Sequence, residues 1–561
     1  VNVAEVVGTT LAKLGVGHVF GVVGSGNFAM VRAMRDSGMP YTAARHEGGA
    51  ASMADAYSRT AGRVAVVTTH QGCGFTNALT GVTEAAKSRT PLIVLTADAP
   101  PAARFNNFRI DQDAAARALG AVAERVYSPS TAAADTERAW TTAVRDRRTV
   151  VLSVPIDLLE LPTPSPTMGS LGDGGHRDDP RATRPDPASA QALADLLASA
   201  ERPVLIAGRG AREAGAAISR LARSCGALLA TSAVVKGLFR GDADGRPPQH
   251  DGADLGNSGG FATPLAAELI ADADVVVGFG CALNNWTTRH GRLLGPEARL
   301  AQVDLDPLAI GAHRPVDLGV VGDSALVADD VAALLPGSRV GYRTEEVLAR
   351  ISGEGRWRDV GFTPLDEDGR IDPRTVTIAL DDALPAERVV AVDSGNFMGY
   401  PSQFLDVPDV AGFCFTQAFQ SIGLGLATAI GAAVARPDRI PVLGTGDGGF
   451  HMAIADLETA VRLRLPLVVL VYHDASYSAE VHHFRSSDDA VAFPDTDLAA
   501  VARGFGADGI TVRSVGDLAA MTEAVRACVE RPSGEARPLV IDAKIASDGG
   551  SWWLAEAFRS H

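Results

Sequence analysis

Two aspartates set against a run of glycines carry the most specific chemical signal in the sequence. The stretch 441–477 reads PVLGTGDGGFHMAIADLETAVRLRLPLVVLVYHDASY: an apolar run, a glycine turn, an amphipathic run and a second apolar run. Asp447 falls just past the first apolar run and Asp474 just past the second, 27 positions on. Read as strand, turn, helix and strand, the unit makes a right-handed crossover between parallel strands. If those strands are neighbours, their carboxyl ends lie about 5 Å apart. Both carboxylates then reach the edge where open α/β sheets bind ligands. Gly444, Gly446, Gly448 and Gly449 expose backbone N–H groups at a helix start, a favourable place for phosphate. Carboxylates beside a phosphate repel it unless a hard cation sits between, and Mg²⁺ with oxygen ligands meets that need. The plain alternative is a Gly-Asp turn with a surface aspartate. Met452, Leu457, Ala460, Val461 and Leu465 predict an apolar stripe on the intervening helix.

A second cluster is Arg45-His46-Glu47-Gly48-Gly49-Ala50-Ala51, followed by Ala54-Asp55-Ala56-Tyr57, Arg59 and Gly62. Taken alone, Glu47 reads as a helix-start carboxylate favoured by the helix dipole. Taken with the Gly446-Asp447-Gly448 unit, the chain resembles the thiamine diphosphate (ThDP) enzymes of the pyruvate decarboxylase, benzoylformate decarboxylase and acetolactate synthase group. The resemblance spans most of the chain. It includes Phe20–Gly24, Gly72-Cys73-Gly74-Phe75-Thr76-Asn77 (with Cys73 where the family usually has Pro), Asp304-Leu305-Asp306-Pro307, Asp393–Met398 and Gln420–Gly423.

The resemblance implies a cofactor, ThDP with Mg²⁺, and residues to hold it. Asp447 and Asp474 would be metal ligands through their side chains and Ser476 through its backbone carbonyl. The family usually has Asn-Asn where this chain has His473-Asp474, a change that adds negative charge beside the metal and keeps an oxygen donor. Gly446, Gly448, Gly449 and Tyr477 would lie against the cofactor. Gly395, Asn396 and Met398 would lie on the loop that contacts the pyrimidine, and Ile422 would hold the cofactor bent. Glu47 would touch N1′ of the aminopyrimidine, favouring the imino form that takes the C2 proton and leaves the ylide nucleophile; the chemistry is then the cofactor's and the placement the protein's. In this family the glutamate and the metal site come from different subunits, so a homodimer or homotetramer with the active site between subunits is expected.

Elements must position these groups. Block one, 1–160, alternates β-branched runs (18–23, 64–69, 91–96, 149–154) with Ala-rich stretches, the mark of βαβ units and a parallel sheet. A polar, breaker-rich linker covers 161–189. Block two, 190–335, opens with a helix over 190–200 and has strands at 203–207, 274–278 and 298–304. A linker covers 336–369. Block three, 370–545, has strands near 388–392, 441–444, 466–472 and 538–543. An apolar tail, 546–561, with Trp552 and Trp553, reads as a lid or an oligomer contact. The fold class is α/β with three doubly wound parallel-sheet domains: pyrimidine-binding, central Rossmann-like and diphosphate-binding. Blocks one and three are candidates for two copies of one architecture.

Composition excludes other classes. The 561 residues carry 51 Lys+Arg against 67 Asp+Glu, net −16, and no basic stripe, which argues against nucleic-acid binding. No stretch of 18 apolar residues is present to span a bilayer. The segment from Val1 shows no basic stretch followed by an apolar run, so no secretion-type leader is expected. Five scattered cysteines with no CxxC pair read as free thiols, and a cytoplasmic location is expected.

The branch of chemistry rests on fewer residues. The resemblance implies a 2-oxo acid substrate, with CO₂ loss to an enamine. Protonation then releases an aldehyde, whereas an aldehyde acceptor gives an acyloin. His70 stands where the benzoylformate decarboxylase branch has an active-site histidine, and imidazole suits proton delivery near neutrality. Glu480 stands where pyruvate decarboxylases place a catalytic glutamate. For both, the competing reading is structural: a strand-end histidine and a solvated helix charge. His482, His483 and His290, with Asn284, Asn285 and Trp286, are weaker candidates. The segment 477–484 (YSAEVHHF) lacks the gating Trp of acetolactate synthases, so the leading expectation is a lyase or carboligase. A synthase of the acetolactate type and a non-catalytic ThDP-fold binding subunit are the alternatives. Gly208-Arg209-Gly210 is compatible with FAD in the central domain, but a lone GxG is weak: FAD is not favoured, and neither is a nicotinamide dehydrogenase.

Overall fold

Strands buried on both faces read as continuous apolar runs, and parallel sheets covered by helices need such strands. The computed structural model describes residues 1–163, 183–240, 252–365, 367–485 and 489–559. It holds three six-stranded sheets, every strand pair of which is parallel. The first comprises β1 (His18–Gly21), β2 (Tyr41–Ala43), β3 (Ala65–Thr69), β4 (Leu92–Asp98), β5 (Val122–Arg125) and β6 (Thr149–Pro155). The second comprises β7 (Pro203–Ala207), β8 (Leu228–Thr231), β9 (Asp254–Asn257), β10 (Val275–Phe279), β11 (Arg299–Asp304) and β12 (Leu318–Val321). The third comprises β13 (Arg388–Val392), β14 (Phe413–Phe415), β15 (Ile440–Gly446), β16 (Val468–His473), β17 (Asp508–Val512) and β18 (Leu539–Lys544).

The strand order is β2-β1-β3-β4-β6-β5 in the first sheet and β14-β13-β15-β16-β18-β17 in the third. These are one topology used twice, the shared architecture expected of blocks one and three. The central sheet runs β12-β11-β10-β7-β8-β9, reversing direction between β7 and β10 as dinucleotide folds do.

The first and third units share one apolar core. The helix Glu47–Ala61 lies against the helix Gly425–Ala435, with Ala50, Ala51, Met53, Ala54, Leu426, Ala427 and Ile430 all buried in the same cluster. Small side chains let the two backbones approach closely. At Gly431 a Cβ would strike the Met53 main chain, so glycine is required there. This contact fixes where Glu47 sits relative to the loop that carries Ile422.

Three expectations need correction. The helix predicted between the two aspartates is broken: Asp447–Ala453 and Leu457–Arg462 are joined by a 3-10 turn, Ile454–Asp456. Leu457 and Ala460 are buried, but Met452 is 57% exposed and faces the pocket described below rather than the core. The central helix starts earlier than expected, at Pro187. Asp186 caps it by accepting from the Ser189 N–H at 2.9 Å, and proline takes the first helical position, where no N–H is needed. Of the 161–189 linker, 164–182 lies outside the described residues. The 336–369 interval, read as linker, contains a helix, Glu345–Glu354, and a 3-10 turn, Trp357–Asp359. No helix among the described residues is long and apolar enough to cross a membrane.

Candidate active site

The third sheet ends in a pocket of about 430 Å³. β15 and β16 are neighbours in the register Gly446↔Tyr472, so Asp447 and Asp474 leave the sheet side by side, as the spacing predicts. Asp447 opens its helix and is buried. Desolvation, with Asp474 beside it, pushes its pKa up to about 7. Burial raises Asp474 as well, against hydrogen bonds from the Ser478 and Ser476 hydroxyls. Two carboxylates pressed together away from water call for a proton or a cation between them. Ala475, between Asp474 and Ser476, has φ 59°, a left-handed conformation costing an L-residue about 1–3 kcal/mol and typical of functional turns. His473, ahead of Asp474, is buried, with Nδ1 2.8 Å from Asp542 Oδ1 and 2.9 Å from Lys544 Nζ.

In place of the expected glycine turn, β15 passes directly into the helix Asp447–Ala453, and the glycines stand at that junction. Gly446, Gly448 and Gly449 line the pocket, and a Cβ on Gly448 would lie 2.6 Å from the Tyr477 ring. Ile422 and Met452 wall one side with Gln417 and Gln420, and Gly395, Asn396 and Met398 wall another. Ser476, Tyr477 and Glu480 complete the rim. Gln417 Nε2 is buried without a hydrogen-bond partner among the described residues, a donor left for a ligand. Glycine N–H groups, paired carboxylates and an orphaned donor form a donor set that fits a magnesium diphosphate.

Glu47 and His70 lie elsewhere. Glu47 is the first residue of its helix, which His46 caps by accepting from the Gly48 N–H at 3.0 Å. Its carboxylate accepts from Asn77 Nδ2 at 3.0 Å. His70 follows β3, with Nδ1 2.8 Å from the Gln71 carbonyl, Nε2 3.4 Å from Ser25 Oγ and its ring edge-on to Phe108. Gly74 separates the two: a Cβ there would lie 3.2 Å from Glu47 Oε1 and 3.1 Å from His70 Cβ. Glu47 and His70 thus share one edge of the first sheet, and neither lines the pocket.

The tail is a helix, Trp552–Phe558, that belongs to the pocket wall through Leu554. Trp553 Nε1 donates to the Asn396 carbonyl at 2.8 Å, and Ser551 Oγ donates to Asn396 Oδ1 at 2.8 Å. His290 does not reach the site; its Nε2 lies 2.9 Å from the Glu556 carbonyl, holding the tail to the central unit. His482 lies 3.6 Å from Asp548, also in the tail. The Gly208–Gly210 turn packs on the β10 end, Gly208 N–H donating to the Phe279 carbonyl at 2.9 Å and Gly210 N–H to Gly280 at 3.0 Å.

Sequence reasoning missed Glu84. It is buried in the helix Cys73–Lys87 and accepts from the Ala418 N–H at 3.2 Å and the Phe419 N–H at 2.7 Å. It thereby holds the loop that presents Gln417, Gln420 and Ile422. Glu84→Ala would orphan two N–H groups, with an expected loss of roughly 2–3 kcal/mol in denaturant unfolding. Ligand affinity in the pocket should fall with it, while Glu84→Gln, which keeps an acceptor oxygen, should lose less. No pattern in the sequence marks this contact, because its partners are main-chain groups of a distant segment.

Comparison with known proteins gives a consistent result. Three family profiles match: thiamine pyrophosphate enzyme, N-terminal TPP binding domain, over residues 1–113; its central domain over 190–331; and its C-terminal TPP binding domain over 393–543. The sulfoacetaldehyde acetyltransferase of Alcaligenes xylosoxydans xylosoxydans is 27% identical over 98% of this chain and 94% of its own length. An acetolactate synthase large subunit of Parasynechococcus marenigrum is 28% identical over 90% of this chain and 82% of its own. A probable 2-ketoarginine decarboxylase of Pseudomonas aeruginosa is 29% identical over 83% of this chain and 80% of its own.

Proposed function

Because the chain belongs to the thiamine pyrophosphate enzyme family, we propose that it is a ThDP- and Mg²⁺-dependent, non-redox C–C lyase or carboligase acting on a 2-oxo acid. The observation that carries this reading is the pair Asp447 and Asp474, side by side at the ends of adjacent parallel strands, beside the glycines of a strand–helix junction. Asp447, Asp474 and the Ser476 carbonyl would hold Mg²⁺, and N–H groups at the Gly446–Gly449 strand–helix junction would face the diphosphate. Ile422 would lie against the cofactor, with Gly395, Asn396, Met398 and Tyr477 around it. When bound, ThDP supplies a nucleophilic carbon for the substrate carbonyl and a sink for the electrons left by the departing carboxylate. Glu47 would hold a proton toward a ring nitrogen of the bound cofactor. His70 and Glu480 hold and deliver protons at substrate oxygen and carbon. The tail, through Leu554, keeps water from the reacting centre.

Glu47 and His70 are absent from the pocket lining of their own chain, which supports a homodimer, or a dimer of dimers, in which a second copy brings them to the pocket. Sedimentation of the cofactor-loaded protein as a monomer would refute this assembly.

A second reading is acyl transfer or synthase chemistry, favoured by the relatives named as an acetyltransferase and an acetolactate synthase. Mass spectrometry of products from a panel of 2-oxo acids, with and without an aldehyde acceptor, separates the two. Free aldehyde from the acid alone supports the lyase. Products that form only with a second carbonyl compound or another acyl acceptor support transfer. No turnover of any acid, with no ThDP binding by calorimetry, would reject both and leave a binding subunit.

A further inference from the structure

We infer that Asp456 is a positioning residue for Glu47, so that one acid on the helix break behind the Gly446–Gly449 strand–helix junction sets the placement of the proposed cofactor-activating carboxyl. The inference rests on the Glu47 role proposed above. Asp456 is buried and lies on the 3-10 turn Ile454–Asp456, which interrupts the helix running on from Asp447. Its Oδ1 accepts from the Arg45 N–H at 2.8 Å and from Thr459 Oγ1 at 2.9 Å. Its Oδ2 fills the space beside Gly49, where a Cβ would fall inside the oxygen's van der Waals surface. Arg45 and Gly49 flank Glu47, so Asp456 grips the chain on both sides of that residue.

Neighbouring side chains add to the grip. Arg45 Nε donates to Glu458 Oε2 at 2.6 Å, and Arg462 Nη2 donates to the Ala43 carbonyl at 2.5 Å. Both partners stand within a few residues of Asp456 on the following helix. The segment 43–49 enters its helix with its direction fixed from outside, by a different unit of the fold. The break after Ala453 has a function in this account, since a continuous helix would not present Asp456 in the same place. An exposed ion pair such as Arg45–Glu458 contributes little by itself. A buried carboxylate accepting from a main-chain N–H is the stronger fixture. In the proposed dimer each Glu47 serves the neighbouring pocket. Asp456 therefore ties the diphosphate half of one active site to the activating half of the other.

The test uses the full-length protein loaded with ThDP and Mg²⁺ and compares wild type, Asp456→Ala, Asp456→Asn, Gly49→Ala, the double variant Gly49→Ala/Asp456→Ala, and Glu47→Gln. The principal readout is proton–deuterium exchange at C2 of the bound cofactor, followed by NMR after acid quench, with ThDP affinity by calorimetry and folding by circular dichroism. Asp456→Ala is expected to slow exchange about 10- to 100-fold, the scale of a displacement of about 1 Å in a reacting group, with ThDP affinity little changed. Asp456→Asn keeps the oxygen facing Arg45 and should remain within about 3-fold of wild type. Gly49→Ala should slow exchange by displacing the carboxylate. The double variant should be no slower than the slower single variant, because the two act on one contact. Wild-type exchange in Asp456→Ala, or equal losses in the Asn and Ala variants, would overturn the inference. If Glu47→Gln itself exchanges at the wild-type rate, the role of Glu47 fails instead. If Asp456→Ala does not fold, Gly49→Ala and Asp456→Asn still decide the matter.

Discussion

Glu47→Gln is expected to lower turnover by about two to four orders of magnitude, the span that a positioned proton-transfer group contributes, while ThDP still binds with near-normal affinity. The substitution is close to isosteric. The Gln oxygen can still accept the bond that Asn77 Nδ2 now gives the carboxylate at 3.0 Å. What is lost is the ability to share a proton with a ring nitrogen. Helix stability changes little, because a single acidic group at a helix start contributes about 0.3–1 kcal/mol, and the Ala-rich face that packs on the helix Gly425–Ala435 is untouched. The expected signature is therefore a drop in kcat with calorimetric ThDP binding preserved, measured on the same preparation. A variant with near-normal kcat would remove Glu47 from the mechanism. A variant that no longer binds ThDP would make the residue a structural one.

Legibility of the fold followed burial. The strands visible in the sequence, such as β3, β4, β10, β13 and β16, are buried along their length and read as uninterrupted β-branched runs. All six sheet edges escaped: β2 and β5, β9 and β12, β14 and β17. An edge strand is short, as β2 and β14 are, or half exposed, as β5 is, so it carries no long apolar run to read. β8 escaped for another reason. Its LLAT sequence follows an Ala-rich helix, and a brief apolar run beside alanines does not declare its period.

The site divides along the same line. Asp447 and Asp474 were legible because two neighbouring strand ends confine them to one edge. Glu84 and Asp456 were not, since each contacts main-chain N–H groups more than 300 residues away, a pairing that only the packing of the first unit on the third creates. The helix Glu47–Ala61 makes both possible. Its small residues bring the units close enough for a carboxylate of one to cap a turn of the other. The first and third units are thus fastened to each other by two acids that the sequence did not single out.

Asp447 gives the second large effect, and here stability and binding should move in opposite directions. Burial and the neighbouring Asp474 raise its pKa from 3.8 to about 7. A carboxyl raised in the folded state is protonated more readily there than in the unfolded chain. Its stabilising contribution is complete below about pH 4 and is lost as pH rises through about 7. In metal-free wild type that loss amounts to roughly 4 kcal/mol overall, about 2 kcal/mol of it between pH 5.5 and pH 8. Asp447→Asn has no charge to desolvate, so its metal-free form should lack that part of the pH dependence and melt above metal-free wild type at pH 8, with the gap narrowing towards pH 5.5. Adding Mg²⁺ with ThDP should reverse the order. The cation favours the ionised carboxylate, and ligand binding stabilises the native state by mass action, so wild type gains most where it was weakest. Asp447→Ala, with no oxygen to offer, should gain nothing and retain no cofactor on gel filtration. Paired thermal melts at the two pH values, with and without Mg²⁺ and ThDP, measure all of this. A wild-type-to-Asn difference that ignores pH would show that the carboxyl is not held against its charge, and a full ligand-induced shift in the Ala variant would show that the metal sits elsewhere.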